Sequence, residues 1–414
     1  MASIDLSSYG VIYGANQANV SNNDGALAAC AMWFAAQVAA GNPLPKLTSH
    51  EGIVCYSQSP NWAIPGLFFE AVGDVHLRYF GTGDAVTIDG GATSPQKTSN
   101  VNFGGAGNFI LEAPGTAQNA CYARALLRSS INIRVYGAGA QSAGLLTSWL
   151  VDCDINAVVT PDETGGWYMN AQPLAGVSLG ARKSNEQTSY CRIKASVDGC
   201  TIGAYLSGTL GNHFEGGYIE GCSGYGMQLL SGALNDKVRD MDFETNGTDI
   251  TCDGQYTTLE DIDTSSHVVF TSNSVASRLV GGNHDAVTVN LGAKGIAVDR
   301  IRYGRALSGN GITNLDPSSD IGVNYNCLTK KWSDQCLPTN AISVGASPFI
   351  YTSALPRGET LLVTTPASLT GIVLYRNGAA VENFPPTQPM FLSYGDTAVF
   401  SFTGGAPTVV SLPR

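Results

Sequence analysis

The chain has 414 residues and a net charge of −11, set by 22 Lys and Arg against 33 Asp and Glu. That balance argues against nucleic acid as the main partner, because phosphate binding calls for a basic stripe, and it disfavours attraction to an anionic membrane. Glycine at 49 residues with only 13% charged residues describes a turn-rich β protein, and no run of about eighteen unbroken apolar residues is present to insert into a bilayer.

In chain order, a short β-like piece, SSYGVIYGA, precedes Asn22-Asn23-Asp24, which can cap a helix that runs to about Ala40 and is ended by Gly41-Asn42-Pro43. This helix is apolar almost all round, which suits a lid on the open hydrophobic end of a solenoid. It is not expected to be a signal peptide: no Lys or Arg precedes Lys46, so the basic leader region is missing. From Pro45 the chain enters strands: LTSHEGIVCY, LFFEAVGDVHLRYFGTG, AVTIDGG, VNFGGAGNFILEA, SINIRVYGAGA and TSWLVDCDINAVV. Between Thr160 and Thr188 the pattern is interrupted by a stretch too long for a turn. Long insertions on solenoids map to one face, often the binding face. Trp167 and Tyr168 there are candidates to stack on sugar rings, with packing back onto the coil as the alternative.

From Ser189 to Gly295 the chain divides into five similar segments, SYCRIKASVDGC, GNHFEGGYIEGC, NDKVRDMDFETN, TTLEDIDTSSHV and ASRLVGGNHDAV, starting at Ser189, Gly211, Asn235, Thr257 and Ala276. A period of roughly 19 to 24 residues without a leucine-rich signature predicts a parallel β-helix. Val197, Ile219, Phe243 and Ile262 align as a buried column, and Asp240, Asp242 and Glu244 alternate outward around Met241 and Phe243. Turns such as Gly199-Cys200, Gly221-Cys222 and Thr245-Asn246-Gly247 should then stack. The ten cysteines contain no CxxC pair, so structural zinc is not expected. Cys200 and Cys222 share a column and are expected as buried thiols, while Cys327 and Cys336 flank a polar loop that a disulfide could close. After Gly311 the repeat fades. From about Ala341 short strands with RNG and YGD turns read as a small antiparallel sandwich.

The ordered series of YG, NDG before a helix, VHLRYFGTG, YIEGC and FETNGTDI resembles the pectate-lyase-like right-handed β-helices, among them bacteriophage tailspikes and capsule depolymerases, over roughly residues 8 to 310. The fold expected is all-β: an N-terminal strand and capping helix (1–45), a right-handed parallel β-helix (46–310), a linker (311–340) and a C-terminal antiparallel β-sandwich (341–414). The resemblance implies that the sandwich helps form a homotrimer. It also implies a virion component, made in the host cytoplasm without a signal peptide, that binds and hydrolyses a bacterial surface polysaccharide. Two alternatives stand beside it: a polysaccharide lyase, and a non-catalytic receptor-binding spike. Only about twenty residues precede the helix, against the larger adaptors of many tailspikes, so two expectations stand: a baseplate or adaptor protein attaches the chain, or the chain is not a tail component.

The coil alignment puts Asp198, Glu220, Glu244 and Asp263 in one outward column. Coils about 4.8 Å apart can offer the carboxyl spacings of glycosidases, roughly 5 Å for retention and about 6.5 to 9.5 Å for inversion. Asp242, two residues before Glu244, gives a lateral pair, extended by Asp240. Stacked like charges should raise one pKa toward that of a general acid; a divalent cation could equally relieve them, and a carboxylate before a turn can simply accept backbone N–H bonds. The catalytic candidates are Asp242, Glu220 and Glu244, with no cofactor and no metal expected. His213 and His284 are candidates for sugar hydroxyls or for turn bonds, and Arg239 for an acidic sugar or an ion pair with neighbouring acids. Low Lys and Arg content on this ridge is expected to suit a neutral glycan.

Overall fold

The structure is a computed structural model and describes residues 2–91, 98–137, 143–160, 173–180, 186–290, 292–303, 312–313, 320–321, 324–326, 331–333, 340–353, 358–365, 369–385 and 388–413. By the density of internal contacts the chain divides into two compact units, Met1–Val269 and Phe270–Arg414.

In the first unit the chain winds as a parallel β-helix with three stacked sheets. The first sheet carries Lys46–Tyr56, Phe68–Tyr79, Asn102–Gly104 with Asn108–Glu112, Ser130–Tyr136, Asp154–Thr160, Arg192–Asp198, His213–Glu220 and Lys237–Arg239 with Asp242–Glu244, each pairing in parallel with the next. The second carries Asp84–Asp89, Asn119–Leu127, Ala143–Val151, Ala175–Leu179, Ile202–Leu206, Tyr225–Leu229 and Thr248–Cys252. The third is built from short pairs such as Thr188–Ser189, Thr209–Leu210 and Ala233–Leu234. Ala175–Leu179 corrects one expectation: a buried rung of the second sheet stands within the stretch read as an interruption, because AGVSL is small and apolar enough to fill a coil.

The coil boundary is a backbone device. Asn100, Arg128, Asp152, Tyr190, Gly211, Asn235 and Tyr256 all hold a left-handed conformation, with φ between 48° and 64°. From Asn100 to Asn235, the N–H of each donates to the carbonyl just before its counterpart one coil on: Asn100 to Leu127, Arg128 to Val151, Asp152 to Ser189, Tyr190 to Leu210, Gly211 to Leu234, Asn235 to Gln255. Bent there, the chain turns the next residue inward, so Ser129, Cys153, Cys191, Asn212, Asp236 and Thr257 form a buried column. A non-glycine residue in this region costs about 1–2 kcal/mol, which the stacked hydrogen bonds offset.

The core is filled asymmetrically. Val159, Val197, Ile219 and Phe243 point inward from the first sheet, and Gly144, Gly176, Gly203 and Gly226 of the second sheet face them. A Cβ added at Gly203 would lie 2.2 Å from Cγ2 of Ile219 and 2.5 Å from the Gly226 carbonyl oxygen. Bulk on one sheet therefore requires glycine on the other.

The helix spans Val20–Ala39 and buries one face: Asn23, Ala26, Leu27, Cys30, Ala31 and Phe34. It starts earlier than expected, so Asn22, Asn23 and Asp24 lie within it and do not cap it. Their side chains tie it to the first coil. Asn23 bonds both backbone groups of Ile12 and donates to the Cys55 carbonyl at 3.0 Å; Asp24 accepts from the Ser57 N–H and hydroxyl and from the Gln58 N–H. Gly41, at φ 72°, ends the helix as expected.

Eight described cysteines, including Cys200 and Cys222, are free and buried, and Cys327 and Cys336 lie outside the described residues. Asp249 is fully buried, held by the Asn246 amide at 2.9 Å and the Ser266 N–H at 2.5 Å, and burial pushes its carboxyl up to about 6. The folded chain thus keeps this proton over a range in which the unfolded chain has lost it. Stability from this group is full below about pH 4 and is lost as pH rises through about 6. Relative to Asp249→Asn, the wild type should lose roughly 2 kcal/mol of unfolding free energy between pH 4 and pH 7, read from urea titrations at the two pH values; a constant difference would refute the assignment.

In the second unit, parallel pairs join Arg278–Val280 to Ala297–Asp299, and Arg302–Tyr303 to Asn324–Asn326. The parallel pattern therefore continues within the stretch read as a linker. Two four-stranded antiparallel sheets follow, one of Asn340–Ile342, Val409–Pro413, Glu359–Val363 and Met390–Leu392, the other of Phe349–Thr352, Thr397–Phe402, Leu369–Arg376 and Ala379–Phe384. They share a core of Leu361, Met390, Leu392 and Val409 from one sheet with Ile372, Leu374 and Phe400 from the other, which makes them a sandwich.

Candidate functional site

The outer face of the first sheet collects most of the chemistry. Asp198, Glu220 and Glu244 are register partners on three successive coils, and Tyr218, Asp242 and Asp263 form the neighbouring column. Asp263 thus stands in the Asp242 column and not the Glu244 column expected from sequence. The partner of Phe243 is Thr264, and Ile262 sits two residues earlier, also buried. Asp242 and Glu244 are exposed, while Glu220, Asp198 and Asp263 are half-buried. Asp240 does not extend the pair. It lies at a break between two short strands with φ 52°, and its carboxylate is 2.9 Å from Nε of Arg239.

Partners in these columns stand about 4.8 Å apart at the backbone across coils, and residues two apart along a strand stand about 6.6 Å apart. Glu220 and Glu244 are therefore a close pair, Asp242 and Glu244 a wider one, and the diagonal from Asp242 to Glu220 is about 8 Å. Tyr218, exposed beside Asp242, adds a flat apolar surface that the sequence reading passed over; its signal was position, two residues before Glu220 on the same face of GGYIE.

The same face is basic toward its other edge, a correction to the expectation of few Lys and Arg. Arg192, His213 and Lys237 form one column, and Arg239 pairs in register with Glu215 and Glu260. Most of these cations are engaged. Arg192 grips Asp154 with Nε and Nη2 at 2.7 and 3.2 Å, Lys237 pairs with Glu260 at 2.5 Å, and Arg239 takes Asp240, the ion-pair alternative noted for it. His213 is exposed, 3.9 Å from Glu215. His284 is buried with Nε2 3.0 Å from the Gly281 carbonyl, a turn bond. Trp167 and Tyr168 lie outside the described residues.

Next to the acidic columns the face is cut by a cleft of about 380 Å³, lined among others by Gly105, Asn132, Asp154, Asn156, Lys194 and Glu215, a size within the range of small-ligand sites. A second hollow of about 390 Å³ shares Ser130, Asp154 and Arg192 with it. The floor is three flat strands, Ser130–Tyr136, Asp154–Thr160 and Arg192–Asp198, paired without a register shift. Both flanking coils are irregular: Gly104 and Gly105 have φ of 113° and 58°, and Gly216 and Gly217 have 69° and 105° where Lys194 faces a bulge. A Cβ on Gly217 would meet the Ala195 carbonyl at 2.1 Å. Regular rungs between bulged ones leave a trough. Sequence reasoning missed it. Among the described residues no group of three or more His, Cys, Asp or Glu is placed to hold a metal ion, and no described helix is long and apolar enough to cross a membrane.

No family model matches the chain and no curated protein does. Solved structures do. A tailspike protein of Escherichia coli bacteriophage HK620, in complex with a hexasaccharide, aligns with a TM-score of 0.42 and 11% identity, covering 100% of this chain and 93% of the other. The chain is similar to a phage tailspike. A mannuronan C-5 epimerase A-module of Azotobacter vinelandii aligns with a TM-score of 0.45 and 12% identity over 78% of this chain and 95% of that one. Tailspike and epimerase module are thus both likenesses of a chain whose own winding is read from its strand pairing.

Proposed function

We propose that the chain binds a bacterial surface polysaccharide along the outer face of the first sheet and hydrolyses it with Asp242, Glu220 and Glu244. The observation that carries this reading is the register of Tyr218 with Asp242 and of Glu220 with Glu244, which gathers three carboxylates and an aromatic ring on one accessible face beside an open cleft. The diagonal of about 8 Å between Asp242 and Glu220 falls in the range that admits a water between two carboxyls. In that arrangement the half-buried Glu220 protonates the departing glycosidic oxygen and the exposed Asp242 draws a proton from the attacking water, inverting the anomeric centre. Glu244 stands beside both and favours the protonated form of Glu220 by its charge. We assign the chain to a virion on the same reading, and the sandwich to homotrimer contacts; its exposed Ile350, Val381, Phe391 and Tyr394 support that role.

The test is incubation of the protein with a panel of bacterial surface polysaccharides, following chain length together with absorbance of unsaturated uronates. Shortening without absorbance is the expected result. Shortening with absorbance would make the protein a lyase, and binding without shortening would leave an adhesive spike; either sinks the hydrolase.

A further inference from the structure

The trough beside the acidic columns has a chemistry of its own. Asn132 donates its amide to the carbonyls of Gly105 and Gly107 at 3.1 and 3.3 Å, which fixes its orientation, so its Oδ1 faces the next coil and accepts from Nδ2 of Asn156 at 2.9 Å. The ladder of amides is thus polarised, and Asn156 is exposed and lines the cleft. The register partner of Asn156 on the following coil is Lys194. Lys194 is exposed and, among the described residues, has no ion pair, whereas Arg192, Lys237 and Arg239 on the same sheet are each matched with an acid.

An ammonium lining a trough of sugar-sized volume, beside a ladder of oriented amides and with no ion pair among the described residues, is a receptor for an anionic group. We propose that this cleft is a subsite for an acidic sugar, with Lys194 receiving a ring carboxylate and Asn156 an adjacent hydroxyl. The proposal deepens the polysaccharide-binding reading and rests on it. Glu215 closes the far end, on the bulge that faces Lys194. It repels a carboxylate there, so the anion enters on the Asn156 side and Glu215 accepts hydroxyls. The clamped Arg192–Asp154 pair is neutral overall and leaves Lys194 as the charge that discriminates. A chain of net charge −11 gains no long-range attraction for such a ligand, so recognition depends on this one local contact and is sensitive to salt.

The experiment sets uronate-containing polysaccharides, namely alginate, polygalacturonate and hyaluronan, beside the carboxyl-reduced form of each, and measures binding to the full chain by titration calorimetry at low and high salt. The wild type should bind at least one acidic form about tenfold tighter than its reduced form. Lys194→Met should abolish that preference while still binding the reduced form, Lys194→Arg should keep it, and Arg278→Met, an equal charge change at another exposed position, should keep it too. Because Lys194 is exposed, its variants should melt as the wild type does. Equal binding of acidic and reduced forms, or an unchanged preference in Lys194→Met, overturns the subsite and leaves the glycan-binding face standing. Failure of the wild type to bind any member of the wider surface-polysaccharide panel overturns both.

Discussion

Asp242→Asn is expected to lower the rate of polysaccharide cleavage at least a thousandfold with little change in binding. General acid–base catalysis by one positioned group is worth about 10²–10⁴. Asparagine keeps the size of the side chain and its hydrogen bonds to sugar hydroxyls but cannot take a proton from water. Asp242 is exposed, so the substitution should not disturb folding. Glu220→Gln should cost as much when the leaving group is a sugar and much less when it is a good leaving group such as an aryl alcohol, because only the poor leaving group needs a proton. Glu244→Gln should act more mildly and move the alkaline arm of the pH profile to lower pH, since it acts through the general acid Glu220. Joint replacement of all three should be no worse than the worst single change, because groups that act as one unit are not additive. Full activity in the triple variant would remove the site from this face.

The second large effect lies in the core. Gly203→Ala should cost about 3 kcal/mol or more and lower the melting temperature by roughly 6–12 °C, since the new methyl group meets Ile219 at 2.2 Å and the Gly226 carbonyl at 2.5 Å. Neither obstacle is the loose end of a flexible chain. Gly25→Ala makes the contrast: it lies in the helix with nothing within 4 Å of the added atom, and should be neutral or stabilising by about 1 kcal/mol. Combining Gly203→Ala with Ile219→Ala should cost less than the sum of the two, because the second change vacates the space the first requires. Strict additivity in thermal melts would show that the glycine column is not there to admit the opposite side chains.

The winding of the chain was legible in its sequence for a reason tied to the coil boundary. The segment starts at Ser189, Gly211, Asn235, Thr257 and Ala276 fall within one residue of the left-handed positions Tyr190, Gly211, Asn235, Tyr256 and Ala276, because the turn needs small and polar residues around it and these recur. The register of the fourth segment was not legible. Sliding a strand by one residue exposes its apolar face, and composition forbids it. Sliding by two leaves every side chain on its own face, so Ile262 and Thr264 were equally good partners for Phe243, and Asp263 went to the wrong column. The trough was illegible for a different reason. Nothing local marks Asn132, Asn156 and Lys194 as neighbours; they meet only because their strands stay regular between two bulged coils, and a bulge one rung away is written in glycines that the hydrophobic alternation does not register.

The left-handed column has a consequence for how such a chain can change length. Because each boundary is defined by backbone conformation and main-chain hydrogen bonds, and is filled equally by asparagine, arginine, tyrosine or glycine, one boundary is interchangeable with another. Excising the segment from Gly211 to Leu234 would join Tyr190's coil to Asn235 with donor and acceptor still matched. Duplication works in reverse, adding one rung of about 4.8 Å and one residue to every outer column at once. The reach of the outer face is thereby inherited in whole coils, and its chemistry can be extended or shortened without a new turn being invented.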